Sequence, residues 1–163
     1  MHVFHFQGSR SSEGCFLNLG AHLTFLPPEG GLDVPPARFD DAHCAFRIRV
    51  SRPGSSEAWP YGRDETQALV TIREMATEWR AQALPFFQMY GSFPDAFIAQ
   101  LSAHHPDGDR STLHYARIAQ HLGLHDKAID LANEGLALTS ERATGLRASY
   151  AIMLKDLGAR SAA

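Results

Sequence analysis

Residues 15–25 read CFLNLGAHLTF, and their alternation decides the fold class. Cys15, Leu17, Leu19, Ala21, Leu23 and Phe25 fall on one side, and Phe16, Asn18, Gly20, His22 and Thr24 on the other. Successive side chains of a strand point to opposite faces, so this period predicts a half-buried strand. Working outward, CAFRIRV at 44–50 repeats the pattern. Cys44, Phe46, Ile48 and Val50 face one way, and Ala45, Arg47 and Arg49 the other. The opening run fits as well, with Phe4 and Phe6 inward and Val3, His5 and Gln7 outward. Between these runs GSRSSEG at 8–14 has the Gly and Ser content of a hairpin loop. One polar side on each strand implies an antiparallel sheet covered on one face only. Segment 26–43, with four prolines and two adjacent glycines, reads as a long loop. Residues 51–63 are a turn-rich link in which Glu57–Trp59 adds a short edge strand ended by Pro60.

The pattern changes after residue 63. Asp64 followed by Gln67 resembles a capping box. Leu69, Ile72, Ala76, Trp79, Ala83 and Phe86 then recur at spacings of three and four, one face of a long helix that Pro85 should kink or end. SFPD at 92–95 supplies a second cap signal, with Ser92 as N-cap and Phe93, Phe97, Ile98 and Leu101 as the apolar face. The aromatics Phe86, Phe87, Tyr90, Phe93 and Phe97 read as core between these helices. HHPDGD at 104–109 is a break. Three helices follow, at 111–123, 126–138 and 141–158, the first capped by Ser111 and stopped by Gly123. The fold class is therefore α+β: an N-terminal antiparallel sheet of three to four strands, packed on one face by about five C-terminal helices. The chain reads as a single domain over 1–163, with a sheet subregion at 1–62, a helical subregion at 64–158 and a disordered tail at 159–163.

Two resemblances carry further implications. The hairpin at 111–138 resembles a single tetratricopeptide-type unit, with Ala116, Gly123, Ala128 and Leu131 where that repeat places small or apolar residues. Gly135 stands where it usually has alanine, and no second full copy follows, so the hairpin is a packing solution and not a repeat array. The first 60 residues resemble the family of domain of unknown function 4304. The carriers are FQGS at 6–9, FLNLG at 16–20, CAFRIRV at 44–50 and Trp59. The resemblance implies a Gln-x-Ser strand beside an Asn-Leu-Gly strand, then an Arg-x-Arg strand and a tryptophan. It implies no activity. Family members begin with a helix and a strand ahead of this point, so Met1 need not be the native start. The first strand is then an edge, or a longer native chain covers it.

Composition narrows the function classes. The 163 residues carry net charge −3, without the basic footprint of a nucleic-acid protein. The 13 arginines against 2 lysines point to a GC-rich, bacterial source. Two cysteines make no disulfide framework. Cys15 and Cys44 fall on the apolar side of their strands, where buried thiols act as small hydrophobes. No run has the form of a secretory signal or a membrane span, so a soluble cytoplasmic protein is expected. There is no GxSxG, phosphate-binding loop or GxGxxG. The nine histidines include His104–His105, His114, His121 and His125. His121 and His125 straddle Gly123, no HExxH occurs and no cysteine pair has zinc spacing, so no metal or other cofactor is expected.

The candidate site is the polar side of the sheet. It gathers His5, Gln7, Asn18, His22, Arg47 and Arg49 if the strands are neighbours. Guanidinium forks bind carboxylate or phosphate bidentately, and a neighbouring histidine adds proton chemistry. The plainer reading is a solvated face that pairs with acids such as Glu13, Asp40 and Asp41. Two functions follow. The first is a non-enzymatic protein-interaction module, with a protein partner or a homodimer formed through the exposed first strand. The second is a small-anion-binding protein or an enzyme, with Arg47 and Arg49 as clamps and His5 or His22 as acid/base. The first is preferred, because no catalytic motif is present.

Overall fold

A computed structural model of the chain describes residues 1–10, 12–27, 39–55, 58–103 and 109–161. The chain divides into two compact units, Met1–Ser92 and Phe93–Ala163. The first holds the sheet: β1 (His2–Gly8), β2 (Gly14–Ala21), β3 (Phe46–Val50) and β4 (Trp59–Pro60), with a 3-10 turn at Asp41–His43 and the long helix α1 (Glu65–Gly91). The second holds α2 (Asp95–Ala103), α3 (Asp109–His121), α4 (His125–Leu138) and α5 (Thr144–Ser161). The α+β class, with an antiparallel sheet followed by five helices, is as the sequence implies.

All strand pairing is antiparallel and centres on β2. One side of β2 pairs with β1 in a register that sets Phe4 opposite Leu19 and His5 opposite Asn18. The other side pairs with β3, Asn18 opposite Arg49, and then with β4, Cys15 opposite Trp59. The hairpin between β1 and β2 closes through its serines. Ser9 Oγ accepts from the Ser12 amide (3.1 Å) and hydroxyl (2.8 Å), and the Ser9 amide donates to the Gly14 carbonyl (2.9 Å).

The apolar face of β2 builds the core of this unit. Leu17, Leu19 and Ala21 are buried together with Val50, Trp59, Ala83 and Phe86, and Tyr90 of α1 stacks on Phe46 with ring centres 4.4 Å apart. Burying each large side chain contributes about 1.5–3 kcal/mol. Trp59 is fixed by its indole N–H, which donates to the Val50 carbonyl at 2.9 Å. Gln82 ties α1 to the end of β3: its amide donates to the Ser51 carbonyl (2.7 Å) and its oxygen accepts from the Ser51 amide (3.3 Å). A side-chain amide thereby occupies the backbone groups that another strand would take. Asp64 caps α1 by accepting from the Gln67 amide at 2.9 Å. Gly62 turns into that cap at φ +86°, and a Cβ there would lie 2.6 Å from the Ala68 nitrogen.

Several expectations are corrected. β2 ends at Ala21, so Leu23 and Phe25 are not in the strand. Its polar side is not open to water: Asn18 and His22 are only 4% and 5% exposed, because residues 39–44 lie over it. Cys44 precedes β3 and stands over Gly20, on the side opposite to the one its alternation suggests. Conversely, Phe4 and Phe6 point to the α1 side yet are 53% and 65% exposed. The apolar stripe of α1 is inward at Ala83 and Phe86, with Trp79 half-buried, whereas Leu69, Ile72 and Ala76 face out. Pro85 does not end α1, which continues to Gly91. Pro85 and Ala81 lie on the exposed side, where water can satisfy the carbonyl that the missing N–H leaves free. Ser92 closes α1 rather than opening α2. Phe86, Phe87 and Tyr90 belong to the first unit, and Phe93 and Phe97 to the second. Glu57, the break at 104–108 with His104–His105, and the last two residues of the expected tail lie outside the described residues.

In the second unit α3 and α4 form a hairpin about Gly123, at φ +76°. Ala116, Ala119, Ala128 and Ala132 are fully buried along it, small residues that let helix backbones approach closely. The tetratricopeptide likeness goes no further than this packing. Gly135 has a local reason: a Cβ there would run into the ring and hydroxyl of Tyr150, a buried residue of α5. Arg147 then caps α4 by donating to the Thr139 carbonyl at 2.9 Å. Gly135→Ala is therefore expected to destabilise the protein by about 1–3 kcal/mol as an overpacking change. Urea unfolding measures it, and a neutral or stabilising result would contradict this packing.

Candidate functional site

The sheet presents two surfaces with chemistry: the polar side of β1–β2–β3, and the outer edge of β1 with its apolar side. On the first, side-chain bonds join Gln7, Asn18 and Arg49 across three strands, with Arg49 directly opposite Asn18 and Gln7 diagonal to it. Asn18 Nδ2 donates to Gln7 Oε1 (3.2 Å), and Arg49 Nε donates to Asn18 Oδ1 (3.1 Å). The Arg49 guanidinium also lies 4.0 Å over the Phe16 ring centre. Burying Asn18 is tolerable because both ends of its amide are satisfied.

His5 does not join that set. Its Nδ1 meets Asp41 Oδ1 at 2.5 Å, and Asp41 is itself buried in the turn laid over the sheet. Asp40 caps that turn: Oδ1 accepts from the Ala42 amide at 2.9 Å and lies 2.8 Å from His43 Nδ1. Beyond Ala21, the His22 amide donates to the Met1 carbonyl (2.9 Å) and the Met1 ammonium to the His22 carbonyl (2.8 Å), which extends the β1–β2 pairing. The His22 ring packs edge-on against Phe39. Arg47 is exposed and has no ion pair among the described residues.

Of the six residues singled out by sequence, the fold thus joins Gln7, Asn18 and Arg49. It gives His5 an acid from another segment, puts His22 under Phe39 and leaves Arg47 to solvent. His5 Nδ1 and carboxylate oxygens of Asp40 and Asp41 lie within 4.8 Å of one another, close enough for one cation. His5 and Asp41 already satisfy each other, however, and Asp40 is engaged by its turn. Asp40 and Asp41 appear in the sequence reading only as possible counter-charges. Nothing in strand periodicity places a one-turn helix over the sheet.

The thiol of Cys44 belongs to this layer. Its Sγ donates to the Asp40 carbonyl at 3.6 Å. Burial, reinforced by the neighbouring Asp41 carboxylate, pushes its pKa up to about 12. Burial also raises the Cys15 thiol. Such thiols hold little thiolate at neutral pH and are poor nucleophiles.

The second surface is the outer rim of the sheet. Met1 bonds to His22, and Ser9 to Gly14, through their backbones. In an antiparallel ladder such pairs recur every second residue, so the odd-numbered positions of β1 face β2. The N–H and C=O groups of His2, Phe4, Phe6 and Gly8 therefore point away from the sheet. Among the described residues no strand pairs with them. The Phe4 and Phe6 side chains flank this rim on the α1 side. Phe4 touches Phe87 and Trp79, with ring centres 5.4 and 6.1 Å away. Phe6 lines a groove of about 360 Å³ with Leu17, Ile72, Met75, Trp79 and Arg80. The sequence supplied the edge, but it assigned Phe4, Phe6 and Ile72 alike to the core, where the structure leaves all three more than half exposed.

The family model for a domain of unknown function (DUF4304) matches residues 1–89. That is more than half of the chain. The chain belongs to the DUF4304 family. The match extends past the 60 residues of the sequence resemblance to take in nearly all of α1, and it stops just short of the end of the first unit at Ser92. The DUF4304 region thus corresponds to the sheet with its helix, and both candidate surfaces lie within it. No curated protein and no solved structure matches the chain.

Two measurements check the covered face. Asn18→Ala leaves Gln7 and Arg49 without their bridge and is expected to cost about 1–3 kcal/mol in urea unfolding. Cys44 gives a pH signature. Its folded pKa lies above the unfolded value of 9.0, so its contribution is complete below about pH 9 and is lost as the pH rises toward 12. Stability should fall across that window, and Cys44→Ala should flatten the fall to the smaller slope left by Cys15. An unchanged slope would mean that Cys44 is not buried as described.

Proposed function

We propose that this DUF4304 protein is a non-enzymatic interaction module that binds a protein strand along the outer edge of β1, whether from another protein or from a second copy of itself. The observation that carries the reading is an edge, unpaired among the described residues, flanked by two aromatic side chains that are more than half exposed. Exposed strand edges are templates for pairing, and soluble proteins guard them with Lys, Pro, bulges or inward charges. Residues 1–9, MHVFHFQGS, contain no Lys, Arg, Asp, Glu or Pro, and the β1–β2 register runs from His2 to Gly8 without a bulge. Backbone pairing would supply affinity, and the alternate side chains over Phe4 and Phe6 selectivity. The covered polar side supports the same reading from the other direction. Gln7, Asn18 and Arg49 are used on one another, and His5 on Asp41.

Amide exchange followed by NMR tests this. Short extended peptides with large apolar residues at alternate positions are titrated into the full chain. The amides of Phe4, Phe6 and Gly8 should slow by an order of magnitude or more at saturation, about tenfold for each 1.4 kcal/mol of pairing. Proline-substituted versions of the same peptides should have no effect. If every peptide leaves those amides unchanged, the edge is not a strand acceptor and the reading fails.

A further inference from the structure

Resting on strand addition at β1, we infer that the strand it takes is β1 of a second copy, antiparallel, about a two-fold axis through His5. The edge is self-complementary in register, in charge and in apolar pattern.

Register comes first. Antiparallel pairing joins outward-facing positions to outward-facing positions. On β1 these are His2, Phe4, Phe6 and Gly8, placed evenly about residue 5. If two copies overlap along the whole of His2–Gly8, His2 meets Gly8 of the other copy and Phe4 meets Phe6. Each outward residue then has an outward partner with which to exchange both backbone bonds. Slipping by two residues in either direction leaves one end of the strand unpaired. A closed two-fold contact of this kind is isologous, so one patch serves both sides.

Charge adds no penalty. No formally charged side chain lies between Met1 and Ser9, so the two strands meet without like-charge pairs, which would destabilise directly opposite positions. On the axis the two His5 rings are neighbours, and each already has Asp41 of its own chain as a counter-charge.

The apolar pattern follows from the axis. It runs perpendicular to the joined sheet, so both copies of α1 lie on the same face. Between them the overlap gathers four phenylalanines in two Phe4–Phe6 cross-strand pairs. These are flanked by Ile72, 58% exposed, and by Trp79 and Met75 of each groove. The residues that one chain leaves in water become the centre of the contact. A typical stable interface buries about 800 Å² per partner, and one strand with two aromatic residues falls short of that. The expected dimer is therefore reversible, forming in the micromolar range and not permanent.

Sedimentation velocity of the full chain from low to high micromolar concentration should show a monomer–dimer equilibrium. Phe6→Lys should weaken it by about tenfold or more, equivalent to 1.4 kcal/mol. Phe6→Thr, which keeps strand propensity, should weaken it as well, and it serves if the lysine variant does not fold. In a sample mixed from labelled and unlabelled chains, isotope-filtered NOEs should connect Phe4 of one chain to Phe6 of the other. A strict monomer at high micromolar concentration, while alternating peptides still protect the edge amides, overturns the second copy and leaves strand addition standing. A dimer indifferent to both Phe6 variants moves the interface elsewhere. A dimer with Phe4–Phe4 contacts and no Phe4–Phe6 contacts overturns the axis.

Discussion

Gly20 has no side chain, and the second layer of the sheet depends on that. It is the last residue but one of β2, between Val3 on β1 and Arg47 on β3. A Cβ at this position would collide with the Cys44 sulfur and lie 2.8 Å from its Cβ. Because the space is open, residues 40–44 can lie flat on the strand and deliver Cys44, Asp41 and Asp40 to the polar side. Asp41 then reaches His5, Cys44 is sealed from water, and Asn18 has to find its partners within the sheet. One missing side chain thus lets part of a face patterned for water be covered, burying Asn18, His22, Asp41 and Cys44 while Gln7, Arg47 and Arg49 stay exposed.

That partial cover explains which parts of the fold were legible. Alternation identified β1, β2 and β3, and the register confirms which residues share a face. Period-three-and-four spacing identified the helices, and Asp64 with Gln67 marked the start of α1 to the residue. Periodicity reports which residues are apolar, however, and not what covers them. Leu69 and Ile72 have the spacing of a core stripe but face out, while Asn18 and His22 have the composition of a solvated face but are buried. Cys44 was assigned by extending the β3 pattern two residues too far, into a segment that crosses the sheet instead of pairing with it. Gly135 could be noted as unusual in the sequence, yet its reason, the ring of Tyr150, comes from the next helix, twelve residues beyond the end of its own.

The candidate site was legible to the same extent. Five of its six residues lie on the paired strands β1, β2 and β3, with His22 one residue past the end of β2. The register sets Arg49 directly opposite Asn18, whereas the bond from Asn18 to Gln7 runs diagonally, since His5 is the residue opposite Asn18. Its chemistry was not legible, because a guanidinium available for an anion and one engaged by an asparagine and a phenylalanine look alike in one dimension. Arg49 is the second kind. Asp41 was visible only as one of several acids, since a nonlocal ion pair 36 residues apart has no local signature.

The two faces of β1 finally reverse their expected roles. His5, on the side away from α1, is paired with the covered turn, and Phe4 and Phe6 on the other side stand in solvent. A strand in this state has satisfied the side chains that would have held a small ligand. Among the described residues it leaves unpaired a row of backbone groups flanked by two exposed phenylalanines. Water can hydrate the N–H and C=O groups but gains nothing from the rings, and a small apolar molecule can cover the rings but cannot bond to the backbone. A strand does both at once. The partial burial of the polar face and the exposure of Phe4 and Phe6 beside the edge are the two observations on which the proposed strand addition rests.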